Sequence, residues 1–237
     1  MTIQHFLRTF YSSALLVSLA APVPLAAQQE AQARPADRFP HYVVEDLGTL
    51  GGPYSFSYNL NNAGVVSGGS ATATQNGDPS EPVVNAPQTA FFWDRGTLHN
   101  LGTLGGPDSE GAATNLFKLA AVDSETKDLS RQGEDVCAFG THLQCLAATW
   151  KDGHLSPLPL LPGGNNSYAM DMNDRGQIVG FSDTDVYDLA CAGATTAGFR
   201  FQSVIWEPNG TVRELAPLDG DTVANAFGIN NLSLIHI

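Results

Sequence analysis

Carboxylates and thiols are the side chains whose types and spacing could do chemistry in this chain. Asp183, Asp185 and Asp188 lie in DTDVYD, with acids at positions 1, 3 and 6 of the segment. Hard cations such as calcium take several oxygen ligands on a tightly turning loop. This is a fragment of such a loop, without its turn glycine or distal glutamate, so a solvated acidic loop is the plainer expectation. Cys137 and Cys145 enclose AFGTHLQ, short enough for a local bridge, and we pair them; the rival bridge joins one of them to Cys191. Either way one thiol is left over, and Cys191 is expected as a partly buried free thiol. CxxC and metal-type Cys/His spacings are absent, as are a Gly-x-Ser-x-Gly elbow and His-Glu-x-x-His. His142 and His154 are expected at the surface. No catalytic residue is assigned, and calcium is the one cofactor considered.

The elements that position these groups come from a repeat. Asp46–Gly52 reads DLGTLGG and Asn100–Gly106 reads NLGTLGG, 54 positions on, with a weaker PLLPGG at Pro159–Gly164. A recurrence at fixed period marks a chain built from copies of one supersecondary unit. Asn61, Asn115, Asn173 and Asn230 keep the same register, as do Trp93, Trp150 and Trp206, spaced 57 and 56 apart. GTLGG is read as turn geometry, since no GK[ST] follows it as a phosphate-cradling loop requires.

Within a copy the pattern predicts four short strands, about Phe56–Asn61, Val65–Ser70, Ala90–Trp93 and Thr97–Leu101. Asn-x-x-Gly and Trp-x-x-Gly separate them as tight turns. The third strand is apolar on both faces (AFFW, then VIW at Val204–Trp206), which requires sheets stacked on both sides. Almost no helix is expected beyond the N-terminus. The fold class is therefore all-β, a β-propeller or partial propeller of about 3.5 four-stranded repeats at 46–101, 102–157, 158–217 and 218–231 (partial).

DLGTLGG, Ser55, LNNAGVVSG and AFFWDRG together resemble the HAF-repeat family of bacterial extracellular proteins, over roughly residues 42–231. The family's His-Ala-Phe trio is poorly kept, reading Thr89-Ala90-Phe91, Leu146-Ala147-Ala148 and Gln202-Ser203-Val204. Lys118 stands where the second copy should have its turn glycine. The resemblance implies a secreted or surface β-propeller-like protein and no established reaction.

Residues 1–27 have the pattern of a secretory signal peptide, with Arg8 closing the n-region and Phe10–Pro22 as the h-region. That stretch is short against the ~20 apolar residues of a spanning helix. Cleavage is expected after Ala27, with Ala33 as the alternative; an uncut anchor is the rival reading. Residues 28–40 read as a polar linker, and the mature chain as free of membrane spans. Removing Arg8 with the leader turns 11 basic residues into 10 against 24 acids, a formal charge of −14. Such a chain repels nucleic acid.

The copies differ most between their second and third strands, about Ala71–Thr89, Asp123–Leu146 and Asp183–Gln202. Insertions at one point of each repeat fall on one face, the default binding surface. Asp123, Glu125, Asp128, Glu134 and Asp135 are expected there with the cysteines. Tyr42–Leu47 aligns with a fourth strand, as in rings closed by the N-terminal strand. The fourth copy offers a strand about Val223–Asn230 and leaves the pattern at Leu232, which reads as truncation with an off-pattern 232–237 tail; an irregular native last repeat is the alternative. The function expected is non-enzymatic: a binding module contacting glycan or protein through its loops. A polysaccharide hydrolase or lyase is the alternative, and a purely structural repeat the third reading.

Overall fold

The repeated asparagine sets the strand geometry. In this computed structural model, which describes residues 42–72 and 86–237, Asn61 Oδ1 accepts the N–H groups of Ala63 and Val65 at 2.9 and 3.1 Å. Asn115, Asn173 and Asn230 repeat this closure on the residues two and four further on. An asparagine that bonds its own following backbone fixes a turn without help from either strand. Three residues after each asparagine the backbone is left-handed: Gly64 (φ 80°), Lys118 (58°), Gly176 (78°) and Ser233 (60°). The second copy therefore keeps the turn despite its lysine, whose Nζ reaches Asp94 Oδ2 at 2.7 Å.

The first three turns each join the first two strands of a four-stranded antiparallel meander. The first is β1 (Ser55–Leu60), β2 (Val66–Ala71), β3 (Gln88–Asp94) and β4 (Thr97–Gly102). The second is β5 (Ser109–Thr114), β6 (Ala120–Leu129), β7 (Leu143–Lys151) and β8 (His154–Pro157). The third is β9 (Ser167–Met172), β10 (Ile178–Tyr187), β11 (Phe199–Trp206) and β12 (Val212–Leu215). A two-stranded sheet follows, β13 (Gly228–Ile229) with β14 (Ile235–His236). Helix among the described residues is limited to single 3-10 turns at Arg131–Gly133 and Leu189–Cys191.

The sheets pack face to face in sequence order. Ala90, Phe92, Ala120 and Val122 join the first to the second; Ala121, Ala147, Ile178, Val204 and Trp206 join the second to the third. Val179, Ile205 and Ile229 continue to the last pair. The third strands are buried on both faces, as the AFFW and VIW runs require. Trp150 meets the edge of Phe92 at 5.3 Å, and Trp206 donates from Nε1 to the Pro159 carbonyl at 2.7 Å. Trp93 is only partly buried.

First strands of successive repeats neighbour one another, β1 beside β5, β5 beside β9 and β9 beside β13. Asn61 Nδ2 donates to the Asn115 carbonyl and Asn173 Nδ2 to the Asn230 carbonyl, each at 3.1 Å. One side chain thus closes its own turn and holds the next repeat. The glycine motif is the connector: Leu50 and Leu104 N–H groups each bond a serine of the second strand, Ser70 and Ser124, at 2.8 Å. Gly106 passes so close to β6 that a Cβ there would lie 2.5 Å from the Thr126 carbonyl oxygen.

Three expectations are corrected. Tyr42–Leu47 forms no strand, and Val43 and Val44 are exposed. The fourth copy's strand is two residues, not Val223–Asn230, and the 232–237 tail contributes its partner β14. Second strands in copies two and three run ten residues, so 123–129 and 183–187 are strand and not loop. They persist because β7 and β11 run alongside, with Glu125 opposite Cys145 and Tyr187 opposite Phe199. The leader with its cleavage site at Ala27 and the 28–40 linker lie outside the described residues. Among those described, no helix is long and apolar enough to cross a membrane.

Candidate functional site

One cross-strand position distinguishes the repeats. Phe56 faces Gly69 across β1 and β2, and Tyr168 faces Phe181 across β9 and β10. The equivalent pair in the second repeat is Glu110 opposite Asp123, on β5 and β6. Directly opposed residues of an antiparallel pair share a face, with Cβ atoms about 4.5–5.5 Å apart. Two copies fill this place with aromatic rings and the middle copy fills it with two acids. Glu110 is 5% exposed and Asp123 fully buried.

First strands on either side supply the partners. Tyr58 of β1 donates its hydroxyl to Glu110 Oε2 at 3.3 Å, and Tyr168 of β9 donates to Oε1. Asp123 Oδ1 accepts the Ala169 N–H at 2.6 Å, while Oδ2 is buried without a partner. Burial raises the Glu110 carboxyl above its ordinary range, and the two tyrosine hydrogen bonds oppose that rise. Asp123 is pushed well up by burial, with the charge on Glu110 adding to it and the Ala169 bond opposing. Two adjacent carboxyls cannot both ionise out of water. Of the two, Glu110 is the one whose anion is supported by two hydroxyls, and Asp123 the one that burial drives toward its neutral form. Burial and then Glu110 push Tyr58 up to about 12, and burial also raises Tyr168, so both hydroxyls remain donors.

A cavity of about 660 Å³ lies on this cluster. Tyr58, Glu110 and Tyr168 line it from the first strands, with Met170 and Phe181 beside them. The loop after β6 supplies Val136, Cys137, Ala138 and Phe139, and Thr195 comes from the loop after β10. The two loops are tied where the Asp135 N–H meets the Thr195 carbonyl at 2.8 Å. Cys137 and Cys145 form the disulfide, which anchors the first loop to β7 and leaves Cys191 as a buried free thiol.

A second acid cluster has a different character. Glu134 and Asp183 meet across repeats two and three, both fully buried. Arg131 reaches Glu134 Oε1 at 3.2 Å, Asp183 Oδ2 at 3.3 Å and the Thr184 carbonyl at 2.8 Å. Its guanidinium stacks over Phe199 at 3.8 Å. Asn166 Nδ2 bonds both acids, at 2.8 and 3.1 Å, and the N–H groups of Asn165 and Asn166 complete Asp183 Oδ1. Burial, then the neighbouring Asp183, push Glu134 up to about 7, with Arg131 pulling it back.

The acids expected on a loop surface therefore divide. Asp123, Glu125, Glu134 and Asp183 are buried; Asp128 and Asp185 are exposed and Asp135 lies between. The reason is the length of β6 and β10, which carry 123–125 and 183 inward on paired backbone. Glu125 accepts from the Thr141 hydroxyl, and burial raises it to about 7. The DTDVYD trio does not converge. Asp183 belongs to the arginine cluster, Asp185 stands free of it, and Asp188 binds Arg200 at 3.0 Å and caps Ala190. Among the described residues no three His, Cys, Asp or Glu side chains are grouped to hold a metal ion. His142 and His154 are exposed.

Glu110, Tyr58 and Tyr168 escaped the sequence reading, which looked only to the variable loops. The signal lay in the register: counting five back from Asn61, Asn115 and Asn173 gives Phe56, Glu110 and Tyr168, an acid between two aromatics. No known protein family, no characterised protein and no solved structure matches the chain.

Proposed function

We propose that this chain is an exported, non-catalytic binding module, an arc of β-propeller-like repeats of the HAF type that holds one unit of a glycan in the Glu110 cavity. The observation that carries this is the cavity itself. It gathers Tyr58, Phe139, Tyr168 and Phe181 around one carboxylate, and its volume suits a small ligand or one sugar residue, pockets of ~300–1,000 Å³ being usual for such partners. Aromatic side chains offer apolar area at small entropic cost, while the carboxylate fixes orientation. The place fits repeat architecture, since the first strands of three repeats meet there beneath the inserted loops.

A hydrolase or lyase is less well supported. Glycosidic carboxyls flank the bond they cleave, about 5–10 Å apart. Glu110 and Asp123 stand side by side on one face, with Asp123 sealed off. Glu134 and Asp183 come from different repeats, yet Arg131 and Asn166 occupy the space between them. A glycan array read alongside a reducing-sugar release assay tests the proposal. Binding without release is expected; release of reducing ends would refute a non-catalytic role. Export is tested by sequencing the N-terminus of the secreted protein, expected to begin at Gln28.

A further inference from the structure

We infer that the Glu110 cavity selects a ligand bearing an organic cation, such as the ammonium group of an amino sugar or a quaternary ammonium. This rests on the reading of the cavity as a binding site and names the chemistry of its occupant. Three observations carry it. The lining includes no Lys, Arg or His among the described residues. Glu110 accepts from two hydroxyls, Tyr58 and Tyr168, and from no cation. Its cross-strand neighbour is another acid, Asp123, whose Oδ2 is buried without a partner.

A buried carboxylate without a counter-charge is costly, and proteins ordinarily pair it. The contrast is within this molecule, where Glu134 and Asp183 are paired to Arg131. A ligand ammonium would supply the missing charge. Aromatic faces attract cations, and Tyr58, Phe139, Tyr168 and Phe181 are the rings present, Tyr58 standing exposed at the rim. Tyrosine hydroxyls holding both Glu110 oxygens fix the carboxylate in place before the ligand arrives, which lowers the entropic cost of binding.

The pH dependence follows from the groups facing Glu110: Tyr58 on β1, Asp123 on β6 and Tyr168 on β9. Neither tyrosine loses its proton near neutrality, since both are raised, and burial drives Asp123 toward its neutral form. Glu110 is the switching group. Cation binding needs its ionised form, so affinity falls as pH drops through a Glu110 value raised above its ordinary 4.5.

The test compares choline, glucosamine and glucose by calorimetric titration of the full chain. Choline carries a permanent charge, and glucosamine at neutral pH differs from glucose by one ammonium group. Wild type is expected to bind glucosamine at least tenfold more tightly than glucose, and to bind choline at pH 7 with affinity falling tenfold or more by pH 4. Glu110→Gln keeps an acceptor for the tyrosines and is expected to abolish choline binding and the glucosamine preference. Equal affinity for glucose and glucosamine in wild type would overturn the inference without any variant, as would a choline affinity indifferent to Glu110→Gln. If every glycan on the array fails while choline binds in a Glu110-dependent way, the glycan reading falls and the cation inference stands.

Discussion

Two buried acid clusters among the described residues use the same residue types for opposite ends. Glu134 and Asp183 lie at the junction of the second and third repeats, and their contacts are internal: an arginine, an asparagine side chain, the Ser130 hydroxyl and two backbone N–H groups. Glu110 and Asp123 lie on one face of the second repeat with two tyrosines, no arginine, and a cavity in front. A buried acid pair bridged by an arginine locks two segments in register. A buried charge left short of a partner is a strain that the fold tolerates where a ligand can relieve it. A cationic partner, and not burial, separates the pin from the site.

Removing the counter-ion from the pin should have the largest effect. Arg131→Met leaves Glu134 and Asp183 facing each other uncompensated and should cost about 3–5 kcal/mol, read as a lower urea midpoint. An equally stable variant would show that the cluster holds nothing together.

Removing the disulfide comes next. Cys137→Ser with Cys145→Ser frees the short loop that walls the cavity, and chain entropy assigns such a closure about 2–3 kcal/mol. Binding should weaken more than stability implies, because Val136–Phe139 leave the cavity wall. Unchanged affinity would place the ligand elsewhere.

The pH profile separates the clusters more finely. Glu134 and Glu125 are each raised from an ordinary 4.5 to about 7. Between those values the folded state binds the proton that the unfolded state has released, so stability declines as pH rises from about 4.5 to about 7. Thermal midpoints across that window should fall, and Glu134→Gln should flatten the slope. A midpoint that rises through the window would show these carboxyls to be satisfied as anions.

Glu110→Gln should have the smallest effect on folding, within about 1 kcal/mol, since it removes an unpaired charge and keeps an acceptor. Its effect belongs to binding.

Much of the architecture was legible because turns are encoded locally. Asn61 with Gly64, and Trp93 with Asp94-Arg95-Gly96, set each strand end through short-range backbone geometry, and the four strands of the first repeat fall within two residues of expectation. The Cys137–Cys145 bridge was readable for the same reason. The acids were misplaced because the lengths of β6 and β10 depend on pairing with β7 and β11, across loops of a dozen residues. The site itself was hidden differently. Tyr58, Glu110 and Tyr168 are each 52–58 positions from their partners, and only the packing of first strands brings them together. The repeat register already placed Glu110 between two aromatics, which is the one sequence signal that points at the cavity.

Urea unfolding of wild type and Glu110→Gln, each with and without saturating choline, tests the central claim most directly. A ligand that binds only the folded state raises the midpoint by mass action. Choline is expected to raise the wild-type midpoint and to leave that of Glu110→Gln unmoved, and the two proteins to differ little without ligand. A variant several kcal/mol less stable, with wild type indifferent to choline, would make Glu110 a second structural pin and contradict the account.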